Sequence, residues 1–187
     1  MQHISSTREA LRSLGRIILL FALLTLTGCG GGGGGGDDFI GAAEVSLDVE
    51  PRTIDTVDRM RVRTTIFNVN ENGIALKFRF PIGLAYVEDS ASVQLDDNGS
   101  LAIKPRDNQS TEEFTYLVFY LPQDYFGNDG REAREFEMQL VASAEIESGQ
   151  VEVDPDIDDP QTKNSEEFDI ENPGFGAEDA VSIRVVN

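Results

Sequence analysis

From residue 44 onward, apolar side chains return at every second position in one run after another. Met60, Val62, Thr64 and Ile66 alternate with Arg59, Arg61, Arg63 and Thr65. Val45, Leu47 and Val49 alternate with Glu44, Ser46, Asp48 and Glu50 until Pro51 breaks the run. Ile74, Leu76, Phe78 and Phe80 enclose Lys77 and Arg79, and Phe136, Met138, Leu140, Ala142 and Ala144 alternate with Glu135, Glu137, Gln139 and Ser143. Successive side chains of a strand point to opposite faces, so each run describes a strand with one buried and one wet face. The segment 113–121 is apolar on both parities and predicts a central strand, or one covered on both faces. Shorter runs lie at 93–95, 101–103, 150–153, 168–170 and 181–186, between turn clusters such as Asp96-Asp97-Asn98-Gly99 and Gly127-Asn128-Asp129-Gly130. Many short strands without a sustained 3.6-residue period predict an all-β, antiparallel β-sandwich, with a barrel as the alternative. The turn-rich stretch from Asn68 to Gly73 predicts a hairpin pairing Val62 with Phe78 and Ile66 with Ile74.

Ahead of this pattern stands a different kind of segment. Arg8, Arg12 and Arg16 precede a ten-residue apolar run, Ile17 to Leu26, which ends in Leu26-Thr27-Gly28-Cys29. A charged region, an apolar core and small residues at the cut are the order of a secretory signal. The run is too short to cross a bilayer core, which takes about 20 residues in a helix. Cys29 is the only cysteine in the chain. The segment resembles the signal peptides of bacterial lipoproteins, whose lipobox ends in Gly-Cys. The resemblance implies that residues 1–28 are removed, that Cys29 is diacylated on sulfur, and that its new amine is acylated. Several acyl chains on one residue make a stable anchor where one chain binds marginally. Among lipoproteins of Gram-negative bacteria, an aspartate after the lipidated cysteine marks inner-membrane retention; Gly30 stands there, so the resemblance favours the outer membrane.

Gly30 to Gly36 is an unbroken run of seven glycines. Without side chains to bury, residues 29–42 read as a flexible tether with a root-mean-square reach of roughly 20 Å. The domain then occupies 43–187. Within it, Pro81-Ile82-Gly83-Leu84-Ala85-Tyr86-Val87-Glu88-Asp89-Ser90-Ala91 is similar to the Pro-x-Gly-Leu-x-Tyr-Val-x-x-Ser-Ala stretch of a bacterial conserved-repeat domain. That family recurs in surface and cell-wall proteins. The resemblance implies an Ig-like fold over about residues 43–160 and transfers no catalytic residue.

Charge and absences narrow the chemistry. Residues 1–28 hold three of the 15 basic and one of the 34 acidic residues, so the remaining 159 carry 12 against 33, a formal charge of −21. A chain so acidic repels nucleic acid and anionic lipid surfaces. His3, the sole histidine, lies in the signal. The exported part therefore has no Ser-His-Asp triad, no Cys-His pair and no zinc site built on His or Cys. No disulfide can form within the chain, so its stability rests on packing.

Three constellations remain. In the hairpin register above, Arg63 faces Lys77 and Arg61 faces Arg79, which with Arg59 makes one basic stripe. Such a stripe is either a docking patch for an acidic protein or glycan, or a charge lattice balanced by Glu44, Asp48 and Glu50 on a neighbouring strand. The stretch Asp154-Pro155-Asp156-Ile157-Asp158-Asp159-Pro160 places Asp154, Asp156 and Asp158 as the first half of a calcium loop would. It departs from an EF-hand afterwards, because Asp159 stands at the turn glycine and Ser165 at the bidentate glutamate. A different calcium loop or a solvated acidic loop are the two readings left. Tyr116, Tyr120 and Tyr125 with Phe119 and Phe126 are either a sugar-stacking platform or core. Together these features predict a monomeric, lipid-anchored envelope module that binds or supports a protein or glycan and catalyses nothing. A calcium-stiffened adhesion module and a carboxylate-dependent hydrolase of envelope glycans are the alternatives.

Overall fold

The computed structural model describes residues 43–96, 99–156 and 175–187. In chain order the strands are β1 (Glu44–Glu50), β2 (Thr53–Asp55), β3 (Arg59–Phe67), β4 (Ile74–Pro81), β5 (Leu84–Tyr86) and β6 (Ser92–Asp96). They continue with β7 (Gly99–Ala102), β8 (Asp107–Ser110), β9 (Phe114–Leu121), β10 (Arg134–Ala142), β11 (Ile146–Asp156) and β12 (Asp179–Val186). One sheet runs β1-β3-β10-β6-β7, with β5 also on β10; the other runs β2-β12-β11-β4-β9-β8. The fold is an Ig-like β-sandwich, two separate sheets rather than a closed barrel. The path from β1 to β2 changes sheets at Pro51: β1 pairs antiparallel with β3, whereas β2 pairs parallel with β12.

The alternation builds the core directly. Met60, Val62 and Ile66 of β3 and Phe136, Met138 and Leu140 of β10 face inward from the first sheet. Leu76, Phe78 and Phe80 of β4 and Leu117, Phe119 and Leu121 of β9 meet them from the second. The centre is a cluster of three rings: Phe136 stacks on Phe78 at 5.5 Å and lies 4.8 Å from Phe119 between centroids. Aromatic side chains bury the most apolar area per residue, so this junction is the strongest tie between the layers.

The predicted hairpin of Val62 with Phe78 does not form. β3 and β4 lie in different sheets, and β3 pairs instead with β1 and β10, Val62 opposite Val49 and Met138. The connecting segment crosses between the layers because its middle is apolar: Val69 is fully buried, and its N–H donates to Gly130 O at 2.9 Å. Asn68 and Gly73, both at positive φ, turn the chain on either side of it. β9 is covered on both faces, as its sequence predicts, with Leu117 and Phe119 inside and Tyr116 and Val118 buried on the outer side.

Candidate functional site

Outer-facing charges gather on both sheets, and each set follows from its ladder. On the first sheet Arg59, Arg61 and Arg63 form a row along β3, between the acidic rows of β1 and β10. Arg63 sits opposite Asp48 on one side and Glu137 on the other. Its Nε donates to Glu137 Oε2 at 3.3 Å, and Glu50 and Glu135 both approach to 3.9 Å. The Glu137 hydrogen bond first, then the neighbouring carboxylates, hold the Arg63 guanidinium above its ordinary pKa. Arg61 Nε reaches the other oxygen of Glu137 at 3.2 Å. Of the three acids expected to balance the row, Glu50 does so, Asp48 pairs with Arg52 at 3.6 Å, and Glu44 accepts from Asn68 Nδ2 at 3.2 Å. Glu135 and Glu137 take the rest of the work. Their alternation is plain in the sequence, but not the strand they lie beside.

Lys77 and Arg79 belong to the outer face of the other sheet, so the five-residue stripe is divided between the two layers. Their partners come from β11. Arg79 binds Glu152 through two hydrogen bonds, Nε at 2.6 Å and Nη2 at 2.9 Å. Its guanidinium also lies 5.0 Å from the Phe114 ring centroid and 4.5 Å from that of Phe175. A planar cation between two rings and a bidentate carboxylate is an arrangement lysine cannot reproduce. The Glu152 hydrogen bond is the main reason its pKa rises.

Lys77 and Asp154 are both buried, with Nζ 2.7 Å from Asp154 Oδ2 and 3.7 Å from Asp156 Oδ2. Gly176 N–H adds a second contact to Asp154 at 3.1 Å. Burial raises the Asp154 pKa, and the Lys77 hydrogen bond and charge oppose that rise. The expectation of an acidic loop starting at Asp154 is therefore corrected. Asp154 and Asp156 are strand residues whose carboxylates flank an ammonium of the protein itself, so a calcium ion there would have to displace it. Pro155 is tolerated because the β12 ladder stops at Val153 and leaves β11 a neighbour on one side only. Asp158 lies outside the described residues. Among the described residues no three acidic, histidine or cysteine side chains are grouped to hold a metal.

The five aromatics do not assemble into one platform. Phe119 and Phe126 are core, and Tyr125 packs against it in a 3-10 turn at Gln123–Phe126. Tyr116 is buried on the outer face against Phe114 and Phe175, and Tyr120 donates to Asn72 O at 3.1 Å. No local pattern marks Phe175 as part of this face. It comes from the approach to β12, far along the chain from β4 and β9.

At the Arg59 end, the first sheet sinks into an open depression of about 740 Å3 lined by Arg52, Arg59, Arg61 and Gln139. A second, of about 420 Å3, lies beside Arg79, Phe114 and the bulge in β11 at Gly149.

No protein-family model matches the chain, and no curated protein matches it in sequence. Solved structures share its two-sheet form. One is the N-terminal domain of the Streptococcus gordonii adhesin Sgo0707, with TM-score 0.49 and 16% identity, over 76% of this chain and 32% of that one. Another is AvmM, which catalyses macrocyclization in alchivemycin A biosynthesis, with TM-score 0.45 and 14% identity over 76% and 89%. A third is a non-cellulosomal cohesin from the archaeon Archaeoglobus fulgidus, with TM-score 0.40 and 16% identity over 77% and 92%.

Proposed function

We propose that this protein is a lipid-anchored envelope module of bacteria, tethered through Cys29, whose sandwich binds or supports a surface partner and performs no chemistry. The observation that carries the reading is the engagement of its buried carboxylates. Glu152 and Asp154 each end on a cation of the same sheet, Arg79 and Lys77. Acid–base catalysis needs a carboxyl free to meet a substrate proton at the wall of a cleft. Among the described residues, Asp48, Glu135 and Glu137 lie on the outer face of the first sheet, beside its arginine row. Gly30 after the anchor favours the outer membrane, and the glycine run lets the domain turn freely toward a protein or glycan beside it.

The anchor is tested by expressing the full chain in a Gram-negative host fed an alkyne fatty acid. Wild type incorporates the label and partitions into detergent, whereas Cys29→Ser does neither; labelling that survives the substitution removes the anchor from the proposal. Affinity capture from the native envelope tests the binding role. One partner recovered reproducibly supports it, and turnover of envelope glycans by the purified protein overturns it.

A further inference from the structure

The charge rows of the first sheet balance over most of their length and fail at one end. Arg63 and Arg61 are held by Glu50, Glu135 and Glu137. Arg59, at the start of β3, faces Val141 across β10, and its Nη1 donates to Gln139 Oε1 at 3.2 Å. A neutral amide orients a guanidinium without cancelling its charge. Among the described residues no carboxylate oxygen lies within the 4.0 Å that defines an ion pair with Arg59. The lattice therefore ends on an oriented, exposed cation without an ion-pair partner among the described residues.

That cation borders the open depression of about 740 Å3. Arg52 and Arg61 stand beside it. Asp48 and Glu50 also line the space, but their arginine contacts are long and solvent-exposed, 3.6 Å to Arg52 and 3.9 Å to Arg63. Exposed pairs of this kind contribute little, so an incoming carboxylate can exchange with them.

The walls also tell what kind of anion fits. A protein partner is held mainly by an aromatic or aliphatic anchor in a desolvated pocket. Val49 and Met60 line the depression but are sealed below its surface, which leaves Pro51 as the accessible apolar side chain. What the site offers is three guanidinium groups, an amide and two carboxylates, Asp48 and Glu50, held only by long contacts. Guanidinium forks match carboxylates two bonds at a time, so a hydrated ligand bearing carboxylates at intervals suits it. With a formal charge of −21 on residues 29–187, such a ligand gains most where guanidinium groups gather, as Arg52, Arg59 and Arg61 do at this end.

We infer that the depression binds a uronate-bearing segment of an acidic glycan, with Arg59 as the primary contact and Arg52 and Arg61 flanking it. The assignment names a ligand class for the binding role proposed above and rests on that role. The full chain in detergent micelles is titrated with trigalacturonate at low and physiological ionic strength. Saturable binding is expected, weakened by about tenfold at the higher salt. Arg59→Gln should lower affinity by about tenfold, and the Arg52→Gln/Arg59→Gln pair should abolish it. Arg131→Gln, at an exposed arginine in the loop before β10 and at the far end of that strand from Arg59, should leave it unchanged, and thermal melts confirm that each variant is folded. The methyl-esterified trisaccharide should not bind. No binding at millimolar trigalacturonate overturns the inference, as does equal binding of the ester, of hexaglutamate, or by Arg59→Gln. If envelope capture persists in the Arg52→Gln/Arg59→Gln variant, the glycan site falls and the binding role stands. If wild type captures nothing, both fall.

Discussion

Lys77 and Asp154 face each other directly across the β4–β11 ladder, joined Nζ to Oδ2 at 2.7 Å with both side chains almost wholly out of water. A buried ion pair recovers its desolvation only when both partners are present. Lys77→Met leaves Asp154 and Asp156 without their shared cation and should destabilise the domain by about 3–5 kcal/mol. Lys77→Met combined with Asp154→Leu should restore most of that loss, measured as urea midpoints in a double-mutant cycle. Additive losses would show that the pair is not coupled.

The same carboxyl sets a pH dependence of unusual sign. Burial raises the Asp154 pKa above its ordinary 3.8. Between that value and the raised one, the folded protein keeps a proton that the unfolded chain has released. Its contribution to stability therefore falls as pH rises through this window and is flat above it. The stability difference between wild type and Asp154→Asn should decline with pH across the window. A difference that climbs with pH would mean that the Lys77 charge outweighs burial.

Thr64 presents a simpler case. It is fully buried on the inner face of β3, opposite Phe136, and its Oγ1 has no hydrogen-bond partner among the described residues. A buried hydroxyl without a partner is a standing penalty. Thr64→Val keeps the shape and should stabilise the domain by about 1 kcal/mol, read from thermal or urea unfolding.

Gly130 has no room for any side chain. Its φ is +71°, and a Cβ built on it would meet Val69 O at 1.8 Å. Gly130→Ala should break the Val69–Gly130 hydrogen bond and destabilise the crossing by about 2 kcal/mol or more. Faster proteolysis near residues 68–73 than in wild type is the accompanying sign. An alanine variant of unchanged stability would show that the crossing yields easily.

Much of the sandwich was legible because period two is a local property. Each long alternating run became a strand, and the run apolar on both parities became one covered on both sides. Pairing is not local. β3 and β4 are neighbours in sequence with matching patterns, yet their apolar faces meet from opposite layers. A buried Val69 within a turn-like segment was the one trace of the crossing. The divided basic stripe follows from that single error. Arg61 and Arg63 were rightly seen as one outward row, but Glu137 became their partner through a strand about 70 residues further on. The short strands β2, β5 and β8 carry too few residues to show a period at all. Asp154 and Asp156 read as loop because Pro155 lies between them and Pro160 follows, and a strand bordered on one side among the described residues accommodates Pro155. The depression at Arg59 needed three segments brought together, which no spacing rule in one segment can show.

The parallel pairing of β2 with β12 has a mechanical consequence. Once β1 has been drawn off β3, tension between residues 43 and 187 pulls β2 toward its own beginning and β12 toward its own end. For strands that run the same way, those pulls are opposed along their common axis. The pairs from Arg184–Thr53 to Val186–Asp55 are thus sheared together rather than peeled one at a time. The seam therefore resists as a unit after the edge strand has yielded.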